Sequence, residues 1–165
     1  MTKTEEFLRE AFAGESQANR MYTAFAAQAD KDGFAQAARL FRAAAEAEAV
    51  HASNHLRAQK AIKSTKENLR EAITGETHEF KEMYPEMIAA AKVEGAKDAE
   101  RTFTYANAVE EYHARLYHEM LAGLETKTGS FPYFVCPVCG MTVEKEAPEK
   151  CPVCGVKGSL FKKIE

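Results

Sequence analysis

Two Glu-x-x-His pairs, Glu48–His51 and Glu110–His113, are the residues of this chain best suited to chemistry. Residues three apart lie on one face of a helix, so each pair presents a carboxylate and an imidazole together. Both pairs interrupt an apolar stripe, where a charged group needs a partner, a hydrogen bond or a metal ion. A single pair of this kind is often a surface pair, but two in apolar stripes indicate metal ligands in a helical core.

Further acids interrupt the apolar stripes of two other predicted helices. Five carboxylates gathered in one core would repel each other and protonate, unless cations of charge two or three compensate them. Carboxylates with imidazoles suit iron or manganese, and di-iron bundles take a Glu from each of two helices and Glu-x-x-His from the other two. Chance explains one such polar position more readily than seven. The predicted ligands are Glu15, Glu48, His51, Glu76, Glu79, Glu110 and His113.

All four cysteines lie near the end of the chain, in two Cys-Pro-Val-Cys-Gly units that supply Cys136, Cys139, Cys151 and Cys154. Four thiolates form a tetrahedral site for zinc or for a single iron. The ligands alone do not choose between these metals, and a structural zinc ribbon is the simpler interpretation of the tail taken alone. A redox dimetal centre in the same chain favours iron.

Four amphipathic helices must position these groups. Apolar residues at steps of three and four predict helices over residues 4–30, 34–59, 64–94 and 96–124. Ser64 and Glu67 form a capping box that opens the third helix, and Pro85 should kink or end it. The expected fold is mainly α, a four-helix bundle over residues 1–128 followed by a small β and loop metal domain over 129–165. The boundary lies in the polar stretch 127–130.

The composition narrows the class of protein. The chain has 165 residues and a net charge of -3, which argues against a nucleic-acid partner. No apolar run approaches the roughly 20 residues that a membrane helix needs, so we expect no membrane partner. The charged start has no export signal, and the cysteine spacing is typical of a metal site. A reducing cytoplasm is therefore the expected compartment.

The chain resembles the rubrerythrin family over nearly its whole length. The resemblance rests on AGESQA at 13–18, EAVH at 48–51, GETHE at 75–79, MYP at 83–85, EEYH at 110–113 and the two CPVCG units. It implies a ferritin-like bundle followed by a rubredoxin-like domain. It also implies two non-haem irons in the bundle and one iron in the four-Cys site, although zinc can occupy either site in purified protein.

The resemblance further implies that the protein reduces hydrogen peroxide to water. Two ferrous ions supply the two electrons that cleave the O–O bond, and the four-Cys iron passes on electrons from NAD(P)H through a rubredoxin-type partner. The family implies that His51 and Glu79 exchange as ligands when the redox state changes. It also implies that Tyr22 and Tyr84 hydrogen-bond to ligand carboxylates. The alternatives are a ferroxidase or iron-handling protein, and a zinc-stapled helical interaction module.

The connection between the second and third helices predicts the assembly. Those helices run parallel in a ferritin-like bundle, so their link must climb roughly 28 Å, whereas the four residues 60–63 reach about 14 Å. We therefore expect a swapped homodimer, in which the third and fourth helices of each chain pack with the first and second helices of the other. An unswapped bundle whose second helix ends near His55, and a plain up-down bundle, are the alternatives. The tail begins far from its own dimetal ligands, so we expect electrons to cross between chains.

Overall fold

The computed structural model describes residues 1–126 and 129–165 and contains long helices followed by a small sheet. This confirms the predicted fold class. The helical segments are α1 (Lys3–Lys31), α2 (Ala35–Ala58), α3 (Thr65–His78), a π-helical turn (Glu79–Met83), α4 (Tyr84–Glu94) and α5 (Lys97–Gly123). The chain divides into two compact units, residues 1–63 and 64–165. The domain boundary expected at residues 127–130 falls partly on residues 127 and 128, which lie outside the described residues.

The first unit is a hairpin of α1 and α2. Its buried positions are all alanine, which lets the two helices approach closely: Ala26, Ala29, Ala38, Ala45 and Ala52. Asn19 donates a hydrogen bond from Nδ2 to the carbonyl of Ala45 at 2.6 Å, and Gln59 donates one to the carbonyl of Leu8 at 3.0 Å. These two bonds fix the register of α1 against α2.

Helix α2 persists past His55 and ends in a tight cap. The N–H of Ala61 donates to the carbonyl of Leu56 at 3.1 Å, and Lys60 adopts the left-handed conformation with φ 55°. This is the pattern of a Schellman cap. The link between α2 and α3 thus spans residues 59–64, two more than expected, but its first three residues fold back on the helix end.

The third helical segment runs through α3, the π turn and α4. The predicted capping box is present, since Ser64 Oγ accepts from the N–H of Glu67 while the Glu67 carboxylate accepts from the N–H of Ser64. Pro85 has no N–H, and the expected disruption takes the form of the π turn just before it. There the N–H of Tyr84 donates to Glu79, five residues back. The helix therefore continues through Pro85 instead of ending.

The small domain has three strands, β1 (Tyr133–Val135), β2 (Thr142–Glu144) and β3 (Lys162–Ile164), in the antiparallel order β2-β1-β3. It packs on α5 of its own unit, because Val109 is buried in the same core as Cys136, Cys151, Met141 and Phe161. Short 3₁₀ turns occur at Leu124–Thr126 and Gly158–Leu160. Within the described part of the chain, the helices are too short or too polar to cross a membrane.

Candidate metal centres

Among the described residues, three groups of side chains bring ligand atoms within 4.8 Å of one another. The first, the α1/α2 cluster, contains Glu15, Glu48 and His51. The second, the α3/α5 cluster, contains Glu76, Glu110 and His113. The third, the four-cysteine cluster, contains Cys136, Cys139, Cys151 and Cys154. Ten of the eleven predicted ligands therefore fall into these three clusters, and only Glu79 does not.

The α1/α2 cluster is built across the helical hairpin. His51 Nδ1 lies 2.8 Å from Glu48 Oε2, one turn away on α2, and 3.8 Å from Glu15 Oε1 on α1. The imidazole is open, with 53% of its side chain exposed, whereas Glu48 is 19% exposed. Oxygen and nitrogen donors thus converge in the first unit as the spacing predicts.

The α3/α5 cluster repeats this geometry in the second unit. His113 Nδ1 lies 2.8 Å from Glu110 Oε2 on α5 and 3.8 Å from Glu76 Oε1 on α3. All three side chains are better covered here, with His113 26% and Glu110 16% exposed. Each unit therefore holds two carboxylates and one imidazole in the same arrangement.

The side chains of the α3/α5 cluster shift one another's pKa values. Burial raises the pKa of Glu76 to about 7, helped by its hydrogen bond with Glu110 and by the Glu110 charge. Burial also works to raise the pKa of Glu110, but hydrogen bonds with His113 and Glu76 outweigh it and lower that pKa. The hydrogen bond to Glu110 raises the pKa of His113. The negative charge gathered in this cluster thus favours protonation of its members. A bound cation would compensate the same negative charge, so the donor set fits a metal ion.

Glu79 stands apart from the α3/α5 cluster at the start of the π turn. Burial raises the pKa of Glu79, and the charge of Glu110 raises it further. Glu79 is nevertheless not among the ligand atoms that Glu76, Glu110 and His113 bring within 4.8 Å of one another. The structure thus brings Glu79 near the predicted metal ligands but does not place it among them.

The two tyrosines expected to contact ligand carboxylates make no such hydrogen bond among the described residues. The Tyr22 ring packs on Phe25 and Phe41, with centroids 6.3 Å and 6.2 Å away. Burial raises the pKa of Tyr84, and the charges of Glu110 and Glu79 raise it further. Tyr84 therefore interacts electrostatically with the α3/α5 carboxylates.

Thr142 is a contact that the sequence analysis missed. Its Oγ1 lies 3.0 Å from His113 Nε2, so β2 of the small domain reaches the α3/α5 cluster. Although the tail begins beyond the end of α5, it folds back along that helix, so that Thr142 contacts His113 of the same unit. No spacing rule predicts a contact between residues 29 positions apart in two domains. The position of Thr142 just after the Cys136–Gly140 turn is the one sequence feature that could have suggested this contact.

The four-cysteine cluster is built from two similar turns. The N–H of Gly140 donates to the carbonyl of Cys136 at 3.0 Å, and that of Gly155 donates to the carbonyl of Cys151 at 2.9 Å. Both glycines have positive φ, 83° and 76°, a conformation that side-chain-bearing residues rarely adopt. Each turn thereby points two sulfurs at a common centre.

The sulfur geometry fits one tetrahedral metal ion. Cys136 Sγ lies 3.6 Å from Cys154 Sγ, and Cys139 Sγ lies 3.5 Å from Cys151 Sγ. A tetrahedron with metal–sulfur bonds of about 2.3 Å has sulfurs about 3.8 Å apart. Burial works to raise the pKa of Cys151, but hydrogen bonds from the backbone N–H groups of Cys154 and Val153 and with the neighbouring thiols outweigh it and lower the pKa to about 7. Burial raises the pKa of Cys139 and of Cys154. The fit of this cluster to a metal ion therefore rests on the spacing of its four sulfurs.

Comparison with known proteins supports both predicted modules. The family model described as Rubrerythrin matches residues 6–121, and the model described as Rubrerythrin, rubredoxin-like domain matches residues 134–162. Rubrerythrin-2 of Clostridium acetobutylicum is 38% identical, with 96% of this chain and 95% of that protein covered. Rubrerythrin of Porphyromonas gingivalis is 35% identical, with 99% and 91% covered.

Solved structures give the same result. Nigerythrin in its fully reduced, all-ferrous state is 32% identical and superposes with a TM-score of 0.61 over 99% of this chain and 88% of that one. Its mixed-valence state gives a TM-score of 0.60. The similarities and the donor sets together confirm the expected fold, a ferritin-like bundle followed by a rubredoxin-like domain. They also confirm the expected cofactors, a di-iron carboxylate and histidine site and a four-cysteine iron site.

Proposed function

The chain belongs to the rubrerythrin family, and from this premise we propose that it reduces hydrogen peroxide to water. An iron-dependent oxidoreductase of the peroxidase type follows from the family. The finer proposal is that electrons come from NAD(P)H through a rubredoxin-type donor, enter at the four-cysteine site and pass to the di-iron site. We place this activity in the cytoplasm, where a reducing environment keeps the four thiols available for metal.

The matched geometry of the two clusters is the observation that carries the proposal. Each unit supplies an imidazole 2.8 Å from one carboxylate and 3.8 Å from another. Two equivalent half-sites suit a pair of like metal ions, one for each imidazole. We propose as iron ligands Glu15, Glu48, His51, Glu76, Glu79, Glu110 and His113, with Cys136, Cys139, Cys151 and Cys154 at the second site.

Iron bound at these residues supplies the redox chemistry, two electrons for each O–O bond cleaved. The carboxylates would neutralise the bound cations, and we propose that Glu48 and Glu110 would be shared between the two ions. We propose that His51 leaves its ligand position when the redox state changes and that Glu79 replaces it. We propose residues 1–128 and 129–165 as the two functional modules; the family models match residues 6–121 and 134–162.

We test the activity with the purified, iron-loaded protein and a rubredoxin-type donor. The oxidised four-thiolate iron should absorb strongly in the visible range. One NADH should be oxidised for each hydrogen peroxide consumed, because each reaction transfers two electrons. Cys136→Ala should abolish NADH-linked turnover while the bundle still binds iron. A ferroxidase would oxidise added ferrous iron equally well with and without Cys136. A colourless protein at full metal occupancy would contradict the electron relay and favour a zinc-stapled module.

The link between α2 and α3 supports a swapped homodimer. His51 lies seven residues before the end of α2, and Glu76 lies eleven after the start of α3, so a parallel connection climbs about 27 Å. Residues 59–61 are bonded back to the helix end. The three residues that follow reach about 11 Å when extended, which is too short. We propose that each di-iron site combines the α1/α2 cluster of one chain with the α3/α5 cluster of another.

Because the small domain packs on α5 of its own chain, we revise the electron route. The four-cysteine core includes Val109, and Thr142 contacts His113 in the same unit. In the swapped dimer, electrons then reach the site through the chain that supplies the α3/α5 cluster. This replaces the route between chains expected from the sequence.

Two heterodimers, assembled from differently tagged chains, test swapping and route together. Both pair a Cys136→Ala chain with a chain lacking one bridging acid, Glu110→Ala in the first and Glu48→Ala in the second. If the dimer is swapped and electrons pass within the α3/α5 unit, the first heterodimer should be inactive. The second should be about half as active as the native dimer. In the second, the intact di-iron site and the intact four-cysteine site then belong to the same α3/α5 unit.

The other outcomes identify the alternatives. Activity in both heterodimers indicates an unswapped bundle with transfer between chains, and activity in neither indicates an unswapped bundle with transfer inside one chain. Activity in the first alone indicates swapping with transfer between chains. The peroxidase proposal survives each of these results, since it depends only on the homodimer's turnover.

A further inference from the structure

The hydroxyl of Thr142 occupies a defined position between the small domain and the α3/α5 cluster. Thr142 Oγ1 lies 3.0 Å from His113 Nε2 and 3.1 Å from the carbonyl oxygen of Gly140. Gly140 ends the first cysteine turn, whose shape is fixed by its N–H bond to Cys136. The hydroxyl is thus held from the side of the four-cysteine cluster.

The donor count sets the direction of both hydrogen bonds. A threonine hydroxyl has one hydrogen, and a carbonyl oxygen can only accept, so Thr142 donates to Gly140. Its oxygen lone pairs then face His113, whose Nε2–H donates to them. The hydrogen-bond chain runs in one direction, from His113 through Thr142 to Gly140.

This direction decides what the other ring nitrogen can do. Nδ1 lies 2.8 Å from Glu110 Oε2, a distance at which Nδ1–H donates to the carboxylate, and 3.8 Å from Glu76 Oε1. If a metal ion took the place of that proton, the remaining hydrogen of His113 would stay on Nε2 and the Nδ1 lone pair would face the metal position. That is the form of imidazole that binds a metal ion, and the bond to Nε2 also fixes the plane of the ring.

We propose that Thr142 is a positioning residue that holds His113 with Nε2 protonated and Nδ1 directed at the metal position between Glu76 and Glu110. The inference rests on the proposed ligand role of His113. His51 has no equivalent support, since its Nε2 has no hydrogen-bond partner in the part of the chain that the structure describes. The small domain thereby supports one of the two imidazoles.

Zinc-loaded protein with ¹⁵N-labelled histidine tests the proposal without turnover, because zinc is diamagnetic and redox-inert. In the native chain, we expect His113 to bind zinc through Nδ1 and to show an Nε2–H signal that exchanges slowly with water. Thr142→Val removes the hydroxyl at constant shape and should speed that exchange at least tenfold. The same variant should weaken zinc binding at this position about 10- to 100-fold in chelator competition.

Two variants provide matched controls. Thr142→Ser keeps the hydroxyl and should restore slow exchange and zinc affinity. Thr104→Val removes a hydroxyl of α5 that bonds the carbonyl of Glu100 at 2.7 Å, and should leave both measurements unchanged. The visible spectrum of iron-loaded Thr142→Val should match the native spectrum, which shows that the small domain is intact.

The proposal is overturned if native His113 binds zinc through Nε2, a result that needs no variant. It is equally overturned if Thr142→Val leaves the exchange rate and the zinc affinity within twofold of native. Slow exchange that depends on Thr142, in a protein that does not reduce peroxide, would support the positioning role and reject the proposed activity. The two inferences therefore fail separately.

Discussion

The α1/α2 and α3/α5 clusters have the same donors and the same internal distances but different surroundings. In each, the imidazole lies 2.8 Å from its helical neighbour and 3.8 Å from the acid on the adjacent helix. His51 is 53% exposed, whereas His113 is 26% exposed and hydrogen-bonded to Thr142. Helical spacing thus fixes the donor geometry, and packing decides how firmly each donor is held.

The difference indicates a division of labour between two chemically equivalent clusters. A half-buried imidazole that is hydrogen-bonded at both nitrogens loses little further freedom when it binds a metal ion, so the α3/α5 cluster should bind metal more tightly. An open imidazole can change its position as the charge of the metal changes. Variants at equivalent positions of the two clusters should therefore differ in a consistent direction.

The largest effect is expected where the clusters are alike. Glu48→Ala and Glu110→Ala each remove an acid that we propose bridges both irons, so metal content should fall below two irons per site. Peroxide turnover should fall at least about 100-fold, as expected when bound metal is lost. Elemental analysis and steady-state kinetics on iron-loaded protein are the measurements. Two irons retained in Glu110→Ala would refute the bridging assignment.

A smaller, unequal effect is expected for the imidazoles. His113→Ala should weaken metal binding about 10- to 100-fold, whereas His51→Ala should leave a folded protein that binds metal and reacts slowly with peroxide. Glu79→Ala should resemble His51→Ala, because these two residues are proposed to exchange. Stopped-flow reoxidation of the reduced protein measures the rates. Unchanged rates in both His51→Ala and Glu79→Ala would exclude ligand exchange, and equal metal loss in the two histidine variants would exclude the asymmetry.

The pH dependence of the metal-free protein should come mainly from the α3/α5 cluster. The pKa of Glu76 is raised from 4.5 to about 7, so folding binds a proton between these pH values. The stabilisation is complete below about pH 4.5 and is lost as pH rises through 7. The raised pKa of His113 acts in the same direction, because its stabilisation is lost as pH rises past its unfolded value.

Glu76→Gln tests this linkage by mimicking the protonated acid. At pH 8, thermal unfolding of the metal-free variant should show a stability gain on the order of 1–3 kcal/mol, and the gain should vanish at pH 4.5. Glu15→Gln is the matched control in the α1/α2 cluster, where the side chain is 31% exposed, and should change stability less. A gain of equal size in both variants would show that the clusters do not differ in electrostatic cost.

The smallest effects are expected at the tyrosines. Tyr84→Phe should slow peroxide turnover a few-fold, because the Tyr84 hydroxyl interacts with Glu110 and Glu79. Tyr22→Phe should have a smaller effect, since the Tyr22 ring packs on Phe25 and Phe41 and makes no hydrogen bond within the described residues. Steady-state kinetics with both variants, at equal iron content, measures the difference. A larger loss in Tyr22→Phe would show that the hydroxyl binds a carboxylate in the assembled site.

The helices, the two Glu-x-x-His pairs and the four-cysteine site could be predicted from the sequence because each depends on local spacing. Three-residue steps place Glu48 beside His51 in any regular helix, and a Cys-Pro-Val-Cys-Gly turn directs two sulfurs together. The capping box at Ser64 is equally local, and it begins α3 where predicted. The helix disruption predicted at Pro85 takes the form of a π turn just before that residue.

What only the tertiary structure decides involves residues distant in sequence. The meeting of Thr142 with His113, the burial of Val109 among the cysteines and the position of Glu79 outside its cluster depend on how the chain folds back along α5. A local pattern specifies which residue types lie on one face of an element. It does not specify which other element covers that face, because many pairings bury similar apolar area. The sequence by itself therefore determined the candidate metal donors, and the tertiary structure decided which of them contacts the small domain.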